Sequence, residues 1–304
     1  MIFQDFFMKT KAFIYIIIAS ILWGTSGIFV HYLEPFGFTS LQMTAARGTV
    51  SAICMLTFAL IRNRQLFNFK LRDLVYYAII GVTLFLTAAL YYTSMQMTSV
   101  STAVVLMYMM PAYVMIFSVL FMGEKFSALK IVSVVGMLVG CCLVSGVIGG
   151  IKFDALGIIL GFISGLTYAA NNISTKFAMK RGCHPVSTTM YSFTFMAIIA
   201  LCSAKPGQMI TTAAKQPAAT IPLLIGIGVV TFVLPYLLFT LAMRELPAGT
   251  ASALSIIEPM AATVFSVVLF NEKPDVATVI GIVLILGAVF LLGKAENKKT
   301  LEKR

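Results

Sequence analysis

Runs of about twenty residues without a charge alternate along this chain with short stretches where glycine, proline and charge collect. A bilayer core about 30 Å thick needs about 20 apolar residues per helical crossing. Ten runs meet that length and predict helices at 12–33, 39–61, 73–95, 99–121, 128–147, 155–178, 185–203, 218–242, 248–270 and 275–293. The connections are mostly too short to fold on their own, so no water-soluble domain is expected. The first run is long, lacks a small-x-small cleavage site and leads at once into another span, so it reads as a retained helix and not a signal peptide.

Composition agrees with this pattern. Of 304 residues, 60% are hydrophobic and 11% charged, and the mean hydropathy is +0.97. A water-soluble domain of that balance would expose large apolar patches, so the predicted class is an all-α integral membrane protein whose solvent is lipid. The net charge of +11 would suggest nucleic acid in a soluble protein. Here the positions of the basic residues give a simpler cause. With the amino terminus inside, Lys9, Lys11, Arg62, Arg64, Lys70, Arg72, Lys125, Lys130, Lys176, Lys180, Arg181, Arg244 and the basic tail from Lys294 to Arg304 all fall on the cytoplasmic side. Only Lys152, Lys205, Lys215 and Lys273 fall outside, and Arg47 lies within a span. The asymmetry predicts cytoplasmic termini, an even number of crossings, and a multi-pass protein of the cell membrane with no nucleic-acid partner.

The two halves match at an offset of 148 residues: Met95 with Met243, Thr102-Ala103 with Thr250-Ala251, Pro111 with Pro259, Phe117-Ser118-Val119 with Phe265-Ser266-Val267, and Glu124-Lys125 with Glu272-Lys273. The repeated unit is five helices long, at 12–147 and 155–293, followed by a basic tail at 294–304. Because five is odd, the second copy enters the bilayer upside down relative to the first, the inverted repeat of secondary transporters. Two similar halves in opposite senses give two conformations of comparable energy, one open to each side.

In the second unit, Leu246-Pro247-Ala248-Gly249-Thr250-Ala251-Ser252-Ala253-Leu254, then Glu258-Pro259, then Asn271-Glu272-Lys273 resemble the second repeat of EamA-type transporters, of the drug/metabolite transporter superfamily. The first unit is similar, with Trp23-Gly24, Arg47, Ser101-Thr102-Ala103 and Gly123-Glu124-Lys125. The resemblance implies ten helices, two five-helix repeats and a central cavity framed mainly by helices 1, 3, 4, 6, 8 and 9. The chain departs from it in having Met110-Pro111 where the second copy has Glu258-Pro259, and Asn271 where glycine is usual. Symmetric roles for the halves are therefore not expected.

Glu258 is the acid placed deep in a span, where an ionised carboxylate is costly without a partner. It reads either as a proton-coupling or amine-binding group or as one half of a structural ion pair with Arg47, which is equally costly at its depth. Pro111 and Pro259 are expected inside helices 4 and 9, where they kink the chain or free the carbonyls of Met107 and Ser255 for a polar ligand. Ala251, Ser255 and Glu258 share one helical face, the expected cavity wall. Tyr168, Asn172 and Lys176 form a stripe on helix 6, with Asn172 read as a cavity residue and Lys176 as snorkelling to the interface. Trp23, Tyr91, Tyr92, Tyr108 and Tyr168 supply rings for a partly apolar metabolite, or pack as core. Gly136 and Gly140, and Gly157, Gly161 and Gly165, form small-residue stripes for intrasubunit packing or a dimer face, leaving monomer and homodimer open. Ser127 and Asp275 are expected helix caps.

The five cysteines show no CxxC, and the two histidines, His31 and His184, do not pair, so no metal site or cofactor is expected. The expected function is a secondary transporter of a small metabolite (an amino acid, amine or related compound, with export as one direction). A membrane-embedded enzyme is the rival, weakened by the lack of clustered acids or a nucleophile beside a base, and a channel or scaffold is the third class.

Overall fold

The computed structural model describes residues 2–123, 127–146, 154–271 and 273–302, which are mostly helical with no strand among them. Glu124, Lys125, Lys152 and Glu272 lie outside the described residues. The chain forms α1 (Ile2–Gly24), α2 (Ser26–Leu33), α3 (Ser40–Arg62), α4 (Asp73–Met97), α5 (Val100–Met107), α6 (Met110–Met122), α7 (Ala128–Val144), α8 (Ala155–Lys180), α9 (Pro185–Ser203), α10 (Pro206–Lys215), α11 (Pro217–Gly228), α12 (Leu234–Glu245), α13 (Ala248–Leu254), α14 (Ile257–Phe270) and α15 (Val276–Glu302). Nine stretches among the described residues are long and apolar enough to span a membrane, and α7 is an apolar helix of 17 residues, about 26 Å long at 1.5 Å per residue. The protein is a multi-pass membrane protein. Large side chains such as Ile61, Val268 and Phe290 stand exposed on its outer surface, where lipid and not water is the solvent.

The helix starts follow local chemistry. Thr39 and Gln42 form a reciprocal capping box on α3. Ser99 caps α5, Ser127 caps α7 and Asp154 caps α8. Asp275 accepts from the Thr278 amide at 2.7 Å, so both expected caps, Ser127 and Asp275, are present.

Several boundaries differ from the sequence-based expectation. Helix 1 begins at Ile2 and breaks at Thr25, whose hydroxyl turns back onto the Leu22 carbonyl at 2.7 Å. The last helix continues through the basic residues to Glu302, since lysine and glutamate are good helix formers once a helix is under way. The stretch between the seventh and eighth predicted helices carries α10, whose Met209 and Ala213 pack on a cluster around Leu33, Phe38 and Ile227. Helix 8 contains a π-helical turn at Val229–Val233 between α11 and α12.

The largest correction concerns the prolines. Helices 4 and 9 are each two half-helices, broken at Tyr108-Met109 and Ser255-Ile256, which fall within one residue of each other at the 148-residue offset. Pro111 and Pro259 therefore sit in the first turn of α6 and α14 and not inside a continuous helix, where a missing N–H costs nothing. The Ser255 carbonyl is not free, because it accepts from the Glu258 amide at 3.0 Å. The Met107 carbonyl packs under α8, 3.2 Å from where a Cβ on Gly165 would stand. The far ends of α6 and α14 also correspond: Gly123 (φ +62°) and Asn271 (φ +55°) both take the left-handed conformation, which asparagine tolerates almost as well as glycine at a helix end. That is the physical basis of the Asn271 departure.

The packing repeats under exchange of the two halves. α4 packs on α8 as α12 packs on α1, and α5 and α6 pack on α8 as α14 packs on α1. The α7–α15 and α3–α9 pairs map onto themselves. The glycine stripes are spent inside this bundle. A Cβ on Gly140 would stand 2.8 Å from the Gly281 carbonyl oxygen, and Gly161 and Gly165 admit Leu106 of α5 in the same way.

Candidate functional site

A cavity of about 800 Å³ lies among helices 1, 2, 3, 4, 6, 8 and 9 and the end of helix 5. Its floor is at the breaks, where Trp23, Tyr108, Tyr168, Tyr236 and Glu258 meet. Its walls rise through Arg47, Ala88 and Tyr91 to Glu34, Ser40, Gln96 and Ser145, which lie at or next to the ends of their helices. No lining residue lies below the floor. There Ala12, Ile16, Ala19, Ala242, Met243, Leu246, Ala251 and Leu254 are all buried against one another. The cavity is open at one end of the bundle and sealed at the other.

Glu258 enters this space because the chain breaks just before it. It occupies the first turn of α14, where the positive end of the helix dipole favours a carboxylate, and it faces the Tyr108 hydroxyl at the matching break. Gly24 makes the approach possible, since a Cβ there would stand 2.8 Å from Ala261 and 3.0 Å from the Glu258 carbonyl oxygen.

Arg47 lines the same cavity from α3. Its guanidinium lies 5.8 Å from the centre of the Phe232 ring, and its Nε is buried without a hydrogen-bond partner. Among the described residues no ion pair within 4 Å joins Arg47 to Glu258, so the expected structural pair does not form in this conformation. The Nε1 of Trp23 is likewise buried and unpartnered. The Trp23 ring packs edge-on against Tyr236 at 5.0 Å, and Phe232 lies 4.9 Å from Tyr236. The result is a partly aromatic cavity with Glu258 at its floor, Arg47 in its wall and Glu34 at its mouth, while the unpartnered nitrogens of Trp23 and Arg47 are buried beneath its surface.

Of the residues singled out from sequence, Trp23, Arg47, Tyr91, Tyr108, Tyr168, Glu258 and Pro259 line the cavity. Ser255 and Asn172 do not. Ser255 is fully buried and bonds its own helix at Ala251, because the break rotates Glu258 away from the face that an unbroken helix would share with it. Asn172 is fully buried and donates to the Tyr168 carbonyl. Pro111 is buried and does not line the cavity. Lys176 does not snorkel: it is 7% exposed, and its Nζ donates to the carbonyls of Met243 at 2.7 Å and Leu246 at 2.6 Å. Phe232, in the π-helical turn, and Tyr236, in the first turn of α12, also line the cavity, and nothing in an apolar run marks them out from sequence. Helix 2 joins the cavity frame through Met43 and Arg47.

The sequence profile of the EamA-like transporter family matches residues 10–146 and again residues 155–294. The chain belongs to the EamA-like transporter family. Proteins similar to this EamA-like chain include an uncharacterized transporter of Archaeoglobus fulgidus, 29% identical over 91% of this chain and 94% of the relative. Another is an uncharacterized transporter of Clostridium kluyveri, 24% identical over 95% and 94%. A third is the uncharacterized transporter YxxF of Bacillus subtilis, 25% identical over 93% and 89%. A solved crystal structure shares the fold with a TM-score of 0.75 at 17% identity, over 93% of this chain and 98% of that one. The protein is thus a membrane transporter, as the residue pattern suggested.

Proposed function

We propose that this EamA-like transporter is a secondary carrier that moves a small zwitterion, an amino acid or a related amine-bearing acid, across the cell membrane by alternating access. Ten spans form two inverted five-helix units, 12–147 and 155–293, with both termini in the cytoplasm. The observation that carries the reading is the one-sided cavity whose floor holds Glu258 and whose wall holds Arg47, unpaired with each other. Two opposite charges in one partly apolar pocket are each costly alone, and a zwitterion satisfies both: its carboxylate at Arg47, where bidentate bonding suits a guanidinium, its ammonium at Glu258. The rings of Trp23, Tyr108 and Tyr236 receive its apolar part. A volume of about 800 Å³ falls in the range of small-molecule sites. By the asymmetry of basic residues the open end, at Glu34 and Gln96, is the external one, so the conformation is outward-open.

Metabolite profiling tests this reading. Cells expressing the wild type, Glu258→Gln or empty vector are compared for amino acids and amines in cells and medium. One or a few zwitterions should redistribute only with the wild type, and the sign gives import or export. Redistribution by a purified, reconstituted protein at channel-like rates would replace the carrier reading with a pore. A chemically altered product in place of a moved one would replace it with an enzyme.

A further inference from the structure

The sealed end of the bundle is closed by a contact that the open end lacks. Lys176, near the last turns of α8, places its ammonium on the carbonyls of Met243 and Leu246, at the carboxyl end of α12. Carbonyls there have no partner within their own helix, and the helix dipole adds negative potential. A buried lysine bonded twice at 2.6–2.7 Å is a charge-assisted clamp, and such bonds are stronger than neutral ones.

The corresponding place at the open end can be found from the structure. Ser20 of α1 donates to the Leu254 carbonyl at the end of α13, while Gly165 of α8 lies over the Leu106 carbonyl in α5, 2.8 Å from its would-be Cβ. Leu106 and Leu254 are equivalent at the 148-residue offset, so Ser20 corresponds to Gly165, and counting on by residue number, across the break at Thr25 on one side and along unbroken α8 on the other, His31 corresponds to Lys176. Likewise the end of α12 corresponds to the end of α4, at Met95 and Thr98. His31 is exposed and rests on Phe270, 4.3 Å between ring centres, between Val30 and Glu34, which line the cavity mouth. One half of the molecule is latched shut; its counterpart is not.

We propose that Lys176 is the latch of the inner gate, that its release accompanies opening to the other side, and that the outer gate closes on the equivalent contact between residue 31 and the carboxyl end of α4. Because lysine reaches further than histidine and bonds two carbonyls, the unequal pair biases the resting protein towards the outward-open state. This rests on alternating access between the two halves.

The test reads the mouth directly, in purified full-length protein without substrate. Ala88, in the wall between floor and mouth, is changed to cysteine, and the rate at which that residue takes up a bulky maleimide is followed by peptide mass spectrometry. Adding Lys176→Met should slow its labelling about fivefold or more, as loss of a charge-assisted bond shifts the population away from the outward-open form. Lys176→Arg, which keeps the donors, should restore most of the rate. Unchanged labelling in a Lys176→Met protein that elutes and melts like its parent overturns the proposal. If Lys176→Met does not yield folded protein, the exposed His31→Lys substitution decides alone. A lysine there installs the missing latch and should slow labelling, and an unchanged rate overturns the proposal. Failure of the carrier reading would appear separately, as an absence of substrate movement by the wild type whatever the labelling shows.

Discussion

Glu258 shows how a single residue's cost is met by its surroundings. The Glu258 carboxyl sits in the first turn of α14 and faces the Tyr108 hydroxyl, and among the described residues no ion pair within 4 Å joins it to Arg47. Replacing Glu258 with Gln should reduce transport to the vector background while leaving yield and elution unchanged, because the amide keeps the shape and loses the charge. A collapse of yield rescued by removing the Arg47 charge would restore the structural pair instead. Arg47→Gln should weaken binding of a carboxylate-bearing substrate by about 10–100-fold, the scale of one or two charge-assisted bonds. Titration of substrate binding to the purified protein checks it, and an amine without a carboxylate should lose far less. These two charged residues were legible in the sequence because charges inside apolar runs stand out. Phe232 and Tyr236 were not, because nothing distinguishes an inward-facing ring from a lipid-facing one in such a run.

At the scale of elements, paired breaks and close glycine contacts shape the cavity. The breaks before Pro111 and Pro259 turn two spans into four half-helices, delivering Tyr108 and Glu258 to one level. The tight crossing of α7 and α15 holds the side of this arrangement. At Gly140 any side chain would meet Ile285 at 2.7 Å and the Gly281 carbonyl at 2.8 Å. Gly140→Leu should therefore destabilise the protein by about 1–3 kcal/mol through overpacking, seen as a lower melting temperature in a thermal size-exclusion assay. The exposed Gly287, with nothing within 4 Å of an added Cβ, should accept alanine without loss. Spacing alone identified the glycine stripes but left a dimer face and internal packing equal. Contacts decided for internal packing, since the partner helices lie within the same chain.

For the whole molecule, the charge asymmetry and the repeat lead to a topology that can be read from outside the protein. A cysteine placed in the carboxyl-terminal tail and another near Lys9 should both be labelled by an impermeant reagent only after the cytoplasmic face is exposed. One at Gln208 of α10 should react in intact cells. Opposite behaviour of the two termini would mean an odd number of crossings and would undo the inverted arrangement. Sequence by itself determined the lipid solvent, the all-helical class and the family, because each follows from local hydropathy and from residue matches along the chain. Tertiary structure alone decided that the prolines begin half-helices, that Arg47 and Glu258 share a cavity without pairing, that Ser255 and Asn172 turn away from it, and that Lys176 clamps the sealed end. Each of those depends on how a helix is rotated and where its neighbour's backbone lies, and in a chain this uniformly apolar the residue pattern carries almost no record of either.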